Sequence, residues 1–462
     1  MIRLFRVFIP TSVLALLLSE VVLIYFSLIF ASLLVNDLDP EFFLLEQDGL
    51  FRITIVVVSI LIGLYFQDLY NNLRVSSRML LVQQFSMAIG IAFLFQALLT
   101  YLNPTYMLAR WLMIYGSILM MILLPAWRLA FLRLVFSAMG HISMLFVGTS
   151  SVLAEIGERV SSRQELGLQI LGYLDDGSGD ALPESIPRLG SIDDLRAVAE
   201  RTKPDRIIVG MSERRARMPV YELLDLRLSG IHVEEASLLY ESTFGRVSTR
   251  DLRPSQLVFS RELGPAPSSV AIQGFYSWVL ALIGLTVLSP VMLVVALLVR
   301  LTSPGPILHR QTRIGLNDVL FTVLKFRSMR ADAEARTGAV WASKNDPRIT
   351  AIGKYLRLFR LDELPQFFNV LRGDMSFVGP RPERPEFVQA LSEKIPFYRQ
   401  RHFVKPGITG WAQINHKYGD TVEDTITKLE YDLYYIKHIS PSLDLYIIVN
   451  TLKTVILGRG AQ

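Results

Sequence analysis

The chain has 462 residues, of which 51% are hydrophobic, and its mean hydropathy of +0.37 excludes a wholly soluble protein. It contains no cysteine, which excludes disulfides, thiolate metal sites and cysteine nucleophiles. The net charge of +5 is uneven, since residues 301–462 hold 23 Lys and Arg against 16 Asp and Glu, and that half should therefore meet an anionic partner, either phosphates or a membrane surface.

Residues 1–135 predict a four-helix transmembrane region. Four apolar stretches, at 13–34, 53–66, 79–99 and 107–124, are mostly close to the ~20 residues that cross a bilayer. The connections on one side of these stretches carry arginines, whereas residues 37–48 on the other side are acidic, so both ends of the region should be cytoplasmic. The arginines are Arg3, Arg6, Arg74, Arg78, Arg128 and Arg133.

Residues 141–261 change to alternating strands and helices, which predicts a small Rossmann-like α/β module. We expect strands at 144–147, 168–174 and 206–209, and helices at 151–160 and 192–200. The loop after the first strand has one glycine, Gly148, where a dinucleotide fingerprint has three. We therefore interpret the module as regulatory or dimerising rather than as a dinucleotide site. The Arg-, Ser- and Pro-rich stretch 243–267 predicts a linker.

Residues 275–300 are mostly apolar but are interrupted by Ser289 and Pro290. Hydropathy alone favours a fifth spanning helix, but a span would place the basic C-terminal half outside the cell. A proline in the middle of a helix removes a backbone hydrogen bond and kinks the helix. We therefore predict a re-entrant membrane helix that breaks at Ser289 and Pro290, with the Ser289 hydroxyl satisfying a freed carbonyl.

Two adjacent carboxylates, Asp362 and Glu363, stand at the centre of residues 301–462. A second helix is predicted at 363–371, with Pro365 in its first turn and Gly373 closing it. Asp362 would then lie near the N-cap, where unpaired N–H groups and the helix dipole favour a carboxylate and a neighbouring phosphate. These residues alone leave open that Asp362 is only a helix cap. The basic helix predicted before them carries Lys354, Arg357 and Arg360 on its polar face.

Three further side chains are candidates for the same site. Lys325 and Arg327 alternate on a predicted strand, so both should point toward a phosphate unless this strand face is merely solvated. Asp432 borders the apolar face of a predicted helix at 422–438 and should need a partner.

Glycine, proline and arginine recur through residues 301–415 in short motifs, which are TSPGP at 302, RQTRIG at 310, KFRSM at 325, RLDELPQ at 360, GPRP at 379 and KPGITGW at 405. With these motifs, the chain from about residue 276 onward resembles the catalytic domain of the polyprenyl-phosphate phosphoglycosyl transferases. These are the bacterial sugar transferases that start exopolysaccharide, O-antigen and capsule repeat units. The whole chain is similar to the long form of that family, the undecaprenyl-phosphate glucose or galactose phosphotransferases.

The resemblance implies that a UDP-sugar gives its sugar-1-phosphate to an enzyme carboxylate, releasing UMP, and that undecaprenyl phosphate then accepts it. It implies Asp362 as the nucleophile and Glu363 as a ligand of Mg²⁺, a cation that prefers oxygen ligands. For Asp432 it implies a metal or active-site role, and a buried ion pair with an arginine remains open. The residues it associates with substrate are Arg360, Arg381, Pro382 and Lys405.

The resemblance also implies the cellular setting. It places a homodimer in the bacterial inner membrane, with the catalytic domain, residues 301–462, on the cytoplasmic side and no nucleic-acid partner. The expected fold is a membrane α-helical bundle, a Rossmann-like α/β module and an α+β catalytic domain with a re-entrant membrane helix at 275–300.

Three other functions stay under consideration. A membrane scaffold that binds nucleotide sugar without catalysis would have no need of Asp362, Glu363, Lys325 and Arg381 together. An oxidoreductase is disfavoured, because the loop at Gly148 is degenerate and residues 141–261 lack an evident Tyr-x-x-x-Lys pair. A classical glycosyltransferase would release the nucleoside diphosphate instead of the monophosphate.

Overall fold

A computed structural model describes residues 2–4, 7–35, 39–70, 77–106, 108–138, 141–163, 166–177, 182–211, 218–250, 264–330, 333, 346–416 and 421–458. These residues form three successive parts: an N-terminal helical bundle, an α/β module and a C-terminal domain that includes a long apolar helix. Arg6, Arg74 and residues 251–263 of the predicted linker lie outside the described residues.

The N-terminal bundle confirms the prediction of four long apolar helices. Its core is formed by aliphatic and aromatic side chains such as Leu28, Ile60 and Phe85, which are fully buried or nearly so. Gly63 permits close helix contact, since a Cβ there would lie 2.8 Å from the Ala88 carbonyl oxygen. The elements are β1 Ile2–Leu4, β2 Val7–Ile9, α1 Thr11–Leu34, α2 Pro40–Leu45, α3 Gly49–Phe66, α4 Arg78–Leu102 and α5 Arg110–Ala138. By length and composition, α1, α3, α4 and α5 could each cross a membrane.

The charge pattern placed Arg128 and Arg133 in a connection, but both lie inside α5. Arg133 is exposed, whereas Arg128 is only 1% exposed. Its Nη1 atom lies 3.6 Å from Oε1 of Glu20 on α1, and its guanidinium donates to the Leu69 carbonyl. A charge among membrane helices is stable only with such a partner. The prediction was wrong for Arg128 because its buried partner, Glu20, is distant in sequence.

The module confirms the predicted Rossmann-like fold. Its five parallel strands have the order β5-β4-β3-β6-β7, in which the chain winds outward from β3 in both directions. Helices cover both faces, with Phe146 and Ile156 on one side and Val147 and Leu195 on the other. The elements are β3 Ile142–Val147, α6 Ser151–Ser162, β4 Leu168–Leu174, β5 Arg188–Gly190, α7 Leu195–Thr202, β6 Arg206–Val209, α8 Val220–Leu228, β7 His232–Glu235 and α9 Ala236–Phe244.

The C-terminal domain is built on a long apolar helix, an antiparallel hairpin and short helices. Strands β8 and β9 form the hairpin, and β10 and β11 form a parallel pair. The elements are α10 Pro267–Thr302, β8 Leu308–Ile314, β9 Leu320–Phe326, α11 Ala351–Leu358, α12 Gln366–Arg372, β10 Ser376–Val378, α13 Pro385–Lys394, β11 Gly407–Thr409, α14 Trp411–Asn415, α15 Val422–His438 and α16 Pro441–Ile456.

Helix α10 continues through Ser289 and Pro290, so the prediction that the helix breaks at this pair was wrong. The Ser289 hydroxyl donates to the Thr286 carbonyl at 2.9 Å, which is the carbonyl that the missing N–H of Pro290 leaves free. Packing also holds both halves of the helix to the C-terminal domain, because Ala281 contacts the cluster around Phe367 and Val299 contacts the cluster around Leu356.

The module and the C-terminal domain meet along α15. Tyr240 on α9 donates to Glu430 at 3.0 Å, and the Glu430 carboxylate also accepts the Thr249 backbone N–H at 3.1 Å. At the end of α15, His438 lies 2.6 Å from Glu241 on α9. The first residues of the predicted linker are therefore bound to the C-terminal domain.

Gly284 provides a test of how closely α10 approaches the rest of the domain. A Cβ at Gly284 would lie 2.7 Å from the Phe367 ring, whereas a Cβ at Gly274 on the same helix would meet nothing within 4 Å. We expect Gly284→Ala to destabilise the protein by about 1–3 kcal/mol through overpacking. Gly274→Ala should leave stability unchanged or raise it by about 0.5–1 kcal/mol through helix propensity. Thermal unfolding in detergent measures both, and equal effects of the two substitutions would contradict the close contact.

Candidate active site

Asp362 and Glu363 lie in a single 3₁₀ turn, Leu361–Glu363, between α11 and α12. The turn follows Arg360, whose φ of 52° is in the left-handed region, and α12 begins only at Gln366. Neither α12 nor the turn has a side-chain cap, so Asp362 is not a helix cap. The predicted second helix therefore starts three residues later than expected, although it closes at Gly373 as predicted.

Glu363 is a buried carboxylate held by three cations. Its Oε1 atom accepts from Arg381 at 2.9 Å and from Lys325 at 3.1 Å, and its Oε2 lies 3.7 Å from Arg360. Burial opposes ionisation, but the positive charges of these three residues outweigh it and lower the pKa of Glu363 below its usual range. Glu363 is therefore a fixed negative charge at neutral pH.

Asp362 has a different environment, although it is the adjacent residue and equally buried. Within the described part of the chain its carboxylate makes no hydrogen bond or ion pair. Burial, and secondly the charge of Glu363, raise the pKa of Asp362 to about 6. The two neighbours thus differ in environment: Oε1 of Glu363 is held by two cations at 2.9 and 3.1 Å, whereas Asp362 is an unpaired carboxylate that is mostly ionised at neutral pH.

The positive charges of Lys325, Arg357 and Arg381 partly offset the rise in the pKa of Asp362. Arg357 is the site residue that the sequence analysis did not single out. It is on the polar face of α11, one turn before the dyad, and that spacing was a signal that could have identified it. The structure thus brings Lys325, Arg360 and Arg381 together around Glu363 and places the charge of Arg357 near Asp362.

Arg327 does not join this group, and the prediction that it points toward the same phosphate as Lys325 was wrong. Strand β9 ends at Phe326, so the alternation of side chains does not extend to Arg327. The Arg327 Nη2 atom donates to the Ser303 carbonyl and hydroxyl oxygens, both at 2.7 Å, and binds the C-terminal end of α10. It therefore fixes the helix end to the sheet.

Asp432 forms the ion pair that the sequence analysis left open. Its carboxylate accepts from the Arg401 guanidinium at 2.8 and 3.1 Å, and both side chains are almost fully buried. Burial raises the pKa of Asp432 to about 6, although Arg401 acts against this rise. Arg401 also donates to the Arg381 carbonyl at 3.0 Å. Asp432 therefore positions the backbone of a residue that binds Glu363, and its carboxylate is already engaged with a cation.

The other two predicted substrate residues, Pro382 and Lys405, have contacts separate from the dyad. The Pro382 carbonyl accepts from Arg313 at 3.0 Å. The Lys405 ammonium lies 3.6 Å from where a Cβ on Gly373 would stand, at the C-terminal end of α12. In the part of the chain that the structure describes, neither residue makes a hydrogen bond or ion pair with Asp362 or Glu363.

The dyad is suited to a magnesium ion only together with a phosphate substrate. No group of three His, Asp or Glu residues among the described residues is arranged to hold a metal. Mg²⁺ commonly binds one or two carboxylates, with water and substrate phosphate oxygens completing its octahedron. The unpaired Asp362 and Oε2 of Glu363, whose cation Arg360 lies 3.7 Å away, supply that number of carboxylate oxygens, so the residues present fit the ion.

The sequence is similar to known protein families and to characterised relatives. Residues 269–458 match the bacterial sugar transferase family, and residues 65–224 match a CoA-binding domain family. One relative is the UDP-glucose:undecaprenyl-phosphate glucose-1-phosphate transferase of Klebsiella pneumoniae. It is 34% identical over 321 residues, which is 68% of each chain. The exopolysaccharide production protein PSS of Rhizobium leguminosarum bv. phaseoli is 45% identical over 186 residues, or 39% of this chain and 93% of that protein. The chain belongs to the bacterial sugar transferase family.

The alignments with other relatives cover less of their length. A UDP-N-acetylgalactosamine-undecaprenyl-phosphate N-acetylgalactosaminephosphotransferase of Aeromonas hydrophila is 42% identical over 247 residues, which is 54% of each chain. The undecaprenyl-phosphate glucose phosphotransferase of Komagataeibacter xylinus is 34% identical over 323 residues, which is 68% of this chain and 59% of that protein. The resemblance to sugar transferases is confirmed, and these relatives differ in the sugar that their names state.

The ion pair of Asp432 and Arg401 can be tested by removing one charge. Asp432→Asn leaves Arg401 buried without its counter-charge, and we expect a loss of about 3–5 kcal/mol in the free energy of unfolding. Glu423→Gln, in the first turn of α15, is the matched control, because it makes the same change from carboxylate to amide at an exposed position of the same helix. Thermal unfolding measures the difference, and an Asp432→Asn protein as stable as the control would contradict the positioning role.

Proposed function

We propose that this protein transfers a sugar-1-phosphate from a UDP-sugar to undecaprenyl phosphate and releases UMP, through a covalent aspartyl-phosphosugar intermediate. The observation that supports the covalent route most directly is the contrast within the dyad. Glu363 is neutralised by three cations, whereas Asp362, beside it, carries an unpaired carboxylate. A buried carboxylate without partners is costly to maintain, and this arrangement suits a nucleophile.

In the first half-reaction, an oxygen of Asp362 attacks the β-phosphorus of the UDP-sugar. A bond from Asp362 to phosphorus forms, the bond to the bridging oxygen breaks, and UMP leaves with that oxygen and its electron pair. Lys325 and Arg381 are 21% and 29% exposed, so they can contact the phosphates while they remain beside Glu363. Their charges, with those of Arg357 and Arg360, offset the negative charge that develops on the phosphoryl group.

Mg²⁺ would be held by Glu363 and by oxygens of the substrate, and it would neutralise charge on the transferring group. In the second half-reaction, a phosphate oxygen of undecaprenyl phosphate attacks the same phosphorus. The bond to Asp362 then breaks, and the product carries a diphosphate between lipid and sugar. Asp362 returns to its free carboxylate form, so the cycle needs no additional reactant.

The lipid acceptor requires the dyad to lie at the membrane surface, and helix α10 supports such a location. Its 36 residues would extend about 54 Å, well beyond the ~30 Å hydrocarbon core. Both ends contact the C-terminal domain: Gln273 donates to the Val378 carbonyl, and Ser303 accepts from Arg327. We therefore propose that α10 remains helical but kinks at Pro290, so that it enters one leaflet and returns with both ends on the cytoplasmic side of the bacterial inner membrane.

Transfer to undecaprenyl phosphate would begin the assembly of a repeat unit for exopolysaccharide, O-antigen or capsule. Exopolysaccharide production is stated in the name of the Rhizobium relative. As the similarity to the long form implies, we propose that the protein acts as a homodimer, which size-exclusion chromatography with light scattering in detergent can test.

Product analysis tests the covalent mechanism. Purified protein is incubated with undecaprenyl phosphate, Mg²⁺ and each of several UDP-sugars, beside Asp362→Asn and the exposed-surface control Glu200→Gln. We expect UMP release with at least one sugar, unchanged in Glu200→Gln and reduced at least 1,000-fold in Asp362→Asn. When the lipid acceptor is left out, intact mass spectrometry should find a sugar-phosphate adduct on the protein that carries no substitution. Release of UDP would support a glycosyltransferase instead, and no nucleotide release with any sugar would support the scaffold.

The pH dependence of UMP release tests the role of Glu363. Since the pKa of Asp362 is raised to about 6, protonation inactivates the nucleophile as pH falls, and the rate should decline below about pH 6. Glu363→Gln removes the negative charge that contributes to this rise, so its remaining activity should decline at a lower pH. If the rate of Glu363→Gln declined at the same pH or at a higher pH, the charge of Glu363 would not be raising the pKa of Asp362, and the prediction would be contradicted.

A further inference from the structure

The end of α3 and the turn that follows it, residues 65–70, are held by side chains from four different elements. Lys453 on α16 donates to the Tyr65 carbonyl and to Oδ1 of Asp68, both at 2.6 Å. Asp68 has a φ of 60°, a left-handed conformation that is uncommon outside glycine. The other contacts are Gln84 of α4 to the Gln67 carbonyl, Arg128 of α5 to the Leu69 carbonyl and Tyr70 to Glu20 of α1.

Helix α16, which supplies Lys453, buries its charged residues and exposes apolar ones, the reverse of the usual arrangement in a soluble protein. Its two charged residues, Asp444 and Lys453, are 1% and 5% exposed. Its exposed face consists of apolar side chains at helical spacing, Leu445, Val449, Leu452 and Ile456. A helix with this arrangement is suited to an apolar surrounding rather than to water.

The buried face of α16 continues toward the active site. Asp444 accepts from Gln273 at 2.7 Å and also from Tyr276, both on α10. Eight residues after Tyr276 on α10, Gly284 packs against Phe367 on α12, the helix that follows the dyad. A series of contacts therefore leads from the turn after α3 through α16 and α10 to α12, the helix that follows the dyad.

We propose that Lys453 is a positioning residue, through which the membrane bundle holds the apolar face of α16 against the bilayer and thereby sets the position of the dyad relative to the lipid acceptor. The bilayer is the occupant of this face because α16 is bound by Lys453 to the end of α3, one of the helices long and apolar enough to cross a membrane. This inference extends the proposed function, since it assigns the bundle a task in the step that uses the lipid.

Fluorescence quenching tests the position of α16 without using activity. The chain has no cysteine, so a single Val449→Cys substitution gives one labelling site on the exposed face, and Arg196→Cys on the module is the control site. In vesicles with brominated lipid chains, we expect the label at 449 to be quenched and the label at 196 not. Adding Lys453→Met should reduce quenching at 449 at least two-fold. Absence of quenching at 449, or quenching that Lys453→Met leaves unchanged, would overturn the proposal.

Kinetics in vesicles then separate positioning from general damage. Lys453→Met should raise the KM for undecaprenyl phosphate at least five-fold, while the KM for the UDP-sugar and the UMP burst without acceptor stay unchanged. Lys394→Met on the exposed end of α13 is the matched control and should change none of these values. Asp68→Asn should act in the same direction as Lys453→Met and add little to it, because both remove one interaction.

Equal losses in both half-reactions would mean that Lys453 is merely structural and would overturn the inference. An unmodified protein that shows no UMP burst would contradict the proposed function. In that case the quenching experiment still decides whether Lys453 holds α16 against the bilayer.

Discussion

The structure depends on one electrostatic constraint: two adjacent buried carboxylates cannot both be ionised unless cations compensate them. In this site the cations that pair with a carboxylate, Arg381, Lys325 and Arg360, all lie beside Glu363. Asp362 is left unpaired and its pKa is raised, yet it is still ionised at neutral pH. The asymmetry arises from the 3₁₀ turn, because successive side chains of so tight a turn diverge and only one can reach the three cations.

The cations are fixed in turn by parts of the chain that are far apart in sequence. Arg381 follows β10, and its carbonyl is held by Arg401, which is neutralised by Asp432 on α15. Lys325 is on β9, whose neighbour Leu324 donates its backbone N–H to the buried side chain of Asn369 on α12 at 3.0 Å. The dyad therefore lies where a hairpin, two short helices and α15 meet, and each contributes a charge or a fixed backbone group.

The sequence predicted what depends on local pattern and missed what depends on partners distant in the chain. Long apolar stretches predicted the four membrane helices, the alternation of strand and helix patterns predicted the Rossmann-like module, and helical periodicity predicted the full extent of α15. Motif content identified Asp362, Glu363, Lys325 and Arg381 together. By contrast, Arg327 was misplaced, because β9 ends one residue before it and Ser303 offers it buried acceptors. No local signal distinguishes a lysine that faces phosphate from an arginine that binds a helix end.

The contacts between the α/β module and helix α15 have a physical consequence for the site. Helix α15 carries Glu430, which accepts from Tyr240 and Thr249 of the module region, and two residues later it carries Asp432, which neutralises Arg401. Residues two apart on one helix are rigidly related, since the backbone hydrogen bonds fix their separation. The module therefore braces the same helix that orders the cations of the dyad, and any displacement of α9 against α15 would alter the environment of Glu363.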